Sequence, residues 1–313
     1  MKKIFIAGHK GMVGSAIFRK LRNKSNKIVL VDKKKLNLLN QKSVLSFFKK
    51  YKFDEVYLCA AKVGGIYANN KYVADFIYQN LEIQNNLIHS AYLTNVKKLM
   101  FLGSSCVYPK KPKIPIKEEY LLTSELENTN EMYAIAKIAG LKMCKAYNSQ
   151  YKTDFRAVMP ANLYGPSDNY DSLNSHVLAA LIKKIVLAKK QDKKSFIVWG
   201  TGKPKREFLH VDDLADATVK IMNLSKPKYN KVAGEKFPFI NVGSGSDISI
   251  KDLAKKISKI VGFKGKMIFD KSKPDGTYRK LMDNTKLRKI KWKPKISLNS
   301  GIKKTIVDFK ATN

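Results

Sequence analysis

Three short stretches hold side chains whose types and spacing could do chemistry. In YAIAK, Tyr133 and Lys137 stand four residues apart, which on a helix places them on one face. A phenol titrating near ~10 is a poor acid–base catalyst at neutral pH, and a neighbouring ammonium favours the phenolate and draws it into range. In FLGSSCVYP, an apolar run from Phe101 and Leu102 stops at Gly103, Ser104, Ser105 and Cys106, offering two hydroxyls and a thiol side by side. In GHKGMVG, the glycines Gly8, Gly11 and Gly14 enclose His9, Lys10, Met12 and Val13. Such glycines permit a tight turn and close approach of a pyrophosphate, provided a strand precedes them and a helix follows.

The flanking patterns meet that condition. KKIFIAG reads as a strand and SAIFRKLRNK as a helix, followed by KIVLVD, a helical SVLSFFKKY, the strand EVYLCAA, a long helix over residues 73–93 and the strand KLMFLG. A second long helix over 133–151 leads into FRAVMPANLYG. Strands alternating with helices predict βαβ units and a doubly wound parallel α/β sheet of the Rossmann type. The sequence predicts a dinucleotide-binding domain over residues 1–165, with a segment near 205–225 returning to it, and a smaller α/β substrate domain over 166–313. FIVWG and FINVGS are expected as strands of that smaller region, and the cleft between the domains is the natural ligand site. Asp32, 24 positions after Gly8, ends the second strand. It either accepts the ribose hydroxyls, favouring NAD, or caps the next turn. Lys33, Lys34, Lys35 and Lys10 could instead meet a 2′-phosphate and favour NADP.

Composition narrows the class. The 313 residues are 44% hydrophobic, enough for ample cores. No stretch approaches the ~20 apolar residues of a membrane span, and the apolar run near the N-terminus is too short for a secretory signal. A cytoplasmic protein with no membrane contact is expected. Cys59, Cys106 and Cys144 match neither a disulfide framework nor a zinc site, so no metal is expected. Cys59 and Cys144 read as small buried hydrophobes. The net charge of +36 suggests nucleic acid, but arginine takes only six of the 61 basic positions and the lysines are spread over nearly every segment. A solvated basic surface is the expectation; a rival RNA-binding protein on this fold predicts steep salt dependence and no turnover.

Ser104, Tyr133 and Lys137 resemble the Ser-Tyr-Lys grouping of the extended short-chain dehydrogenase/reductases, and the GxxGxxG spacing resembles the same group. AGHKGMVGSAI, AAKVGGIYANN, ADFIYQN, FLGSSCVYPK, YAIAKIAG, MPANLYGP, NSHV, REFLHVDD and SKPDGT, in this order, narrow the resemblance to the GDP-L-fucose synthase family. The resemblance implies conversion of GDP-4-keto-6-deoxy-D-mannose to GDP-L-fucose by 3,5-epimerisation and then NADPH-dependent reduction at C4, with NADH use possible. It also implies a homodimer formed through the two long helices. Cys106 and His176 would be the family's base and acid on opposite faces of the sugar, with Ser104 and Tyr133 on the C4 oxygen. Lys137 would serve both Tyr133 and the nicotinamide ribose. The implied cofactor residues are the loop from Gly8 to Gly14, Asp32, Lys33, Leu102, Gly103, Ser104, Ser105, Lys137, Pro160, Ala161, Asn162, Leu163 and His176. Asn162, Lys184, Trp199, Arg206, Asp275 and Lys280 are implied for the nucleotide sugar; core packing is the alternative for Trp199. Lys184 and Lys10 stand where the family suggests arginine, and Asp32 where it suggests arginine or threonine. A reductase or epimerase confined to one step on a related GDP-4-keto-sugar is the near alternative.

Overall fold

The computed structural model describes residues 1–22, 25–171, 175–273 and 275–312. Its strands are β1 (Lys3–Ala7), β2 (Lys27–Val29), β3 (Glu55–Leu58), β4 (Lys98–Leu102), β5 (Phe155–Pro160), β6 (Asn162–Tyr164), β7 (Ser195–Trp199), β8 (Lys205–His210), β9 (Phe239–Val242), β10 (Asp247–Ser249), β11 (Lys266–Asp270) and β12 (Arg279–Lys280). The helices are α1 (Met12–Leu21), α2 (Gln41–Tyr51), α3 (Ile66–Lys71), α4 (Val73–Leu93), α5 (Glu131–Tyr151), α6 (Val177–Lys190), α7 (Val211–Met222), α8 (Lys226–Ala233), α9 (Ile250–Val261), α10 (Thr285–Lys289) and α11 (Leu298–Thr312).

Six parallel strands form one sheet in the order β2-β1-β3-β4-β5-β9. Chain order reverses between β1 and β3, and in such sheets the crevice outside the carboxyl ends at the reversal is where ligands bind. The glycine loop, Cys59 and the Gly103–Cys106 segment all follow strands that end at this edge. A second sheet runs β10-β8-β12 with β6 against β8, and β7 pairs with β11 alone.

Two hydrophobic cores follow. One is built on the six-stranded sheet and takes in α7, α8 and residues 282–292; the other lies among Tyr164, α6, β7, α9 and α11. The chain returns to the first core more extensively than the sequence predicts. FINVG is not a strand of the smaller region: Phe239–Val242 is the sixth strand of the large sheet, buried along its whole length, as a run apolar on both faces requires inside a parallel sheet. The 205–225 segment divides, with β8 in the second sheet and α7 packed on α1.

Helix α5 comes unusually close to β4. A Cβ on Gly140 would lie 2.4 Å from the Phe101 ring, so glycine there admits the aromatic ring against the helix. This contact sets the Tyr133 and Lys137 end of α5 over the residues that follow β4.

Candidate active site

The turn after β1 is a cradle with no room to spare. Gly8 has φ +85° and its carbonyl accepts the Gly11 N–H at 3.0 Å. A Cβ on Gly14 would fall 2.2 Å from the Gly8 oxygen. Helix α1 begins at an N-cap glycine with no side-chain cap and no acidic residue in its first turn. Its leading N–H groups and positive dipole end are therefore left for an anion, which fits a dinucleotide pyrophosphate. A cavity of about 740 Å³ opens here and runs to Tyr133, Lys137 and His176. Every residue implied for the cofactor borders it, from the glycine loop through Asp32 and Lys33, Leu102 to Ser105, Pro160 to Leu163, and His176. Asp32 lies 2.9 Å from Lys10 Nζ and 3.4 Å from His9 Nε2. The hydrogen bond from Lys10, ahead of the charges of Lys10, His9 and Lys35, holds its carboxyl below the usual range.

Beyond β4 the reactive groups converge on Ser104. Its hydroxyl accepts the Cys106 backbone N–H at 3.4 Å and lies close enough to the Cys106 thiol and the Tyr133 phenol to favour the charged form of each. Residues Ser105–Val107 form one 3₁₀ turn, which brings Cys106 in under the strand end with only 5% exposure. Lys137 donates to the Leu102 carbonyl at 2.8 Å and stands 5.8 Å from the centre of the Tyr133 ring. Phe76 meets that ring edge-on at 6.2 Å. The expectation that Lys137 draws the phenol down is not met in this arrangement. Burial, and then the neighbouring thiol, push the Tyr133 pKa up, and only the nearby Ser104 hydroxyl opposes them. Burial lowers Lys137 itself to about 8. The Cys106 thiol is raised by burial, while Ser104 and the charges of Lys280 and Lys137 pull the other way.

His176 is the N-cap position of α6 and lines the same cavity. It keeps contact with solvent, yet crowding in the cleft lowers its imidazole pKa. Asn174, the first residue of NSHV, lies outside the described residues, as does Pro274 of SKPDGT.

Of the residues implied for the nucleotide sugar, Asn162, Arg206 and Lys280 lie on the second sheet, Trp199 ends β7, Lys184 is on α6 and Asp275 is in the loop before β12. Arg206 on β8 is in register with Lys280 on β12, and its guanidinium donates to the Asp275 carbonyl at 3.4 Å. The Asp275 carboxylate is occupied by the Thr201 N–H and hydroxyl, both at 2.7 Å, so it shapes the loop after β7. Trp199 is not core: it is 43% exposed, with Lys184 5.0 Å and Lys273 5.7 Å from its ring centre. Asn162 donates to the Glu207 carbonyl at 2.9 Å. Among the described residues no cluster of His, Cys, Asp and Glu could hold a metal ion.

The model of the NAD dependent epimerase/dehydratase family matches residues 4–233. The chain belongs to this family. It is 52% identical to the GDP-L-fucose synthase of Escherichia coli (strain K12) over 97% of this chain and 95% of that protein. Among solved structures it is similar to a GDP-6-OMe-4-keto-L-xylo-heptose reductase from C. jejuni, with 41% identity, a TM-score of 0.93, and coverage of 100% of this chain and 98% of that one. It is also similar to a GDP-L-fucose synthetase from Naegleria fowleri bound to NADP, at 28% identity and TM-score 0.87, covering 99% and 94%.

Sequence reasoning missed part of the cavity of this family member. Leu36 to Leu39 and Ala60 to Gly64 also line it, together with Gln79 and Ile83. LNLL after the lysine run and AAKVGG after β3 carried a signal, since both follow strand ends, but neither has a spacing rule that ties it to a ligand. Glu127 was also missed. It is 7% exposed, 3.3 Å from the Thr277 hydroxyl, and its charge reaches both Arg206 and Lys280.

Proposed function

We propose that the protein converts GDP-4-keto-6-deoxy-D-mannose to GDP-L-fucose, inverting C3 and C5 and then reducing C4. One observation carries the reading: the Cys106 thiol and the Tyr133 phenol lie beside the Ser104 hydroxyl, with the Lys137 ammonium 5.8 Å from the Tyr133 ring centre, and Ser104, Tyr133 and Lys137 border a cavity that also holds His176 and a dinucleotide cradle. A plain reductase has no use for the thiol. The C4 ketone makes the C3 and C5 hydrogens acidic. The Cys106 thiolate takes the proton from one face and His176 returns one on the other, while Ser104 and Tyr133 hold the enediolate oxygen by hydrogen bonds. NADPH supplies hydride when bound. Tyr133 then protonates the C4 oxygen, and Lys137 holds positive charge beside the phenol as its proton leaves. Arg206 and Lys280 take the diphosphate, and the exposed Trp199 offers a face for the base.

A second reading, reduction alone on a related GDP-4-keto-sugar, draws on the likeness to the heptose reductase. Incubation with GDP-4-keto-6-deoxymannose in D₂O without reductant separates them: deuterium at C3 and C5 supports the epimerase, and its absence with intact NADPH turnover supports the reductase.

A homodimer is part of the proposal. Tyr78, Leu93, Ile135 and Tyr151 of α4 and α5 are 37–59% exposed, apolar surface on the two long helices that a second copy would cover. Light scattering of the purified protein measures it directly. The three free thiols suit a reducing cytoplasm, and no helix among the described residues is long and apolar enough to cross a membrane.

A further inference from the structure

Glu207 is a buried carboxylate that none of the steps above uses. It follows Arg206 on β8 and is 1% exposed. Its Oε1 accepts the Gly245 N–H at 2.6 Å and its Oε2 accepts the Met282 N–H at 2.8 Å. A Cβ on Gly243 would lie 2.3 Å from Oε1, so the chain leaving β9 passes the carboxylate only as glycine. Asn284 pins that glycine from the other side, accepting its N–H and donating to its carbonyl, both at 3.1 Å. One side chain therefore ties the end of β9 in the large sheet and the residue two beyond Lys280 to β8. Arg206 and Lys280 are register partners on parallel strands, where paired side chains share a face, and Glu207 points to the opposite one. Two like charges on adjacent strands repel, so convergence on one anion needs a rigid frame beneath them.

We propose that Glu207 is the positioning residue of the nucleotide-sugar site, fixing β12 and the loop after β9 against β8 so that Arg206 and Lys280 stay aimed at one diphosphate. This rests on the role given to those two cations above. Glu207 touches neither substrate nor cofactor; it acts through the backbone N–H groups it binds.

The test is Glu207→Gln, equal in size but setting an amide NH₂ against one of the N–H donors. In the full-length protein the calorimetric Kd for GDP should rise at least about tenfold, as expected when one buried charge-assisted contact is lost. The KM for the ketosugar should rise in parallel, with kcat within about threefold and the NADP⁺ Kd within about twofold of wild type. Gly243→Ala pushes a methyl group against the same carboxylate and should reproduce this split even if Glu207→Gln folds poorly. Unchanged GDP affinity in a folded variant, or loss of NADP⁺ binding in proportion to GDP, overturns the proposal. If the wild-type protein does not turn over the ketosugar, the proposed function fails, whereas the GDP titration needs no chemistry and still decides on Glu207.

Discussion

Replacing Cys106 by serine should uncouple proton exchange from hydride transfer. The side chain is 5% exposed and lies beside the Ser104 hydroxyl, and a serine fits nearly the same volume and keeps the backbone bond to Ser104, so the stability cost is about 1 kcal/mol or less. The chemistry changes far more. Burial raises the thiol pKa, and the Ser104 hydroxyl, Lys280 and Lys137 oppose that rise, so the thiolate remains accessible as pH increases. The working base is the deprotonated form. Exchange in the wild type should climb about tenfold per pH unit below the thiol pKa and level off above it. A serine hydroxyl has no anion in that range. Loss of a positioned base costs ~10²–10⁴ in rate, or about 3–5 kcal/mol of barrier. The assay is mass spectrometry of deuterium entering C3 and C5 from D₂O without NADPH. Exchange in Cys106→Ser within threefold of wild type, with the same pH profile, would refute the assignment; reduction of the already epimerised ketone should survive the substitution.

Three more outcomes test other parts of the site. Asp32→Asn removes the carboxylate that engages Lys10, freeing the ammonium for a 2′-phosphate; the NADP⁺ to NAD⁺ affinity ratio, by titration, should rise about tenfold, and a shift toward NAD⁺ would show that Asp32 serves another purpose. Gly14→Ala places a methyl 2.2 Å from the Gly8 oxygen, and should lower stability by about 1–3 kcal/mol or more and abolish the NADP⁺-induced rise in Tm. Lys137 works as the ammonium, which is filled below and emptied above its pKa of about 8, so hydride transfer should fall as pH rises through that value. In Lys137→Met hydride transfer should be low throughout while C3 and C5 exchange persists.

The dinucleotide half was the more legible in sequence because its signals are local. A glycine triplet after a strand and a Tyr-Lys pair at helical spacing each carry their geometry within a few residues, and Asp32 opens the turn three residues past β2 rather than ending the strand itself. The nucleotide-sugar half draws Arg206, Asp275 and Lys280 from segments brought together by strand pairing and by long-range hydrogen bonds, and neither is visible without the partner segment. For the same reason Phe239–Val242 misled: its apolar run announces a buried strand but not which sheet it joins. The pKa of Tyr133 was misjudged because helical spacing gives proximity to Lys137 but says nothing of the burial that outweighs it. His176 was unreadable from spacing, since its place depends on α6 docking across the cleft.

The bare start of α1 ties the lifetime of the protein to its cofactor. A helix end that provides no cap of its own is well suited to an anion, and binding adds to the stability of the folded chain, by about 2.7 kcal/mol at a hundredfold excess over Kd. Protease resistance should then rise and fall with the supply of dinucleotide, and cells short of NADP(H) would clear the protein faster than cells that are replete.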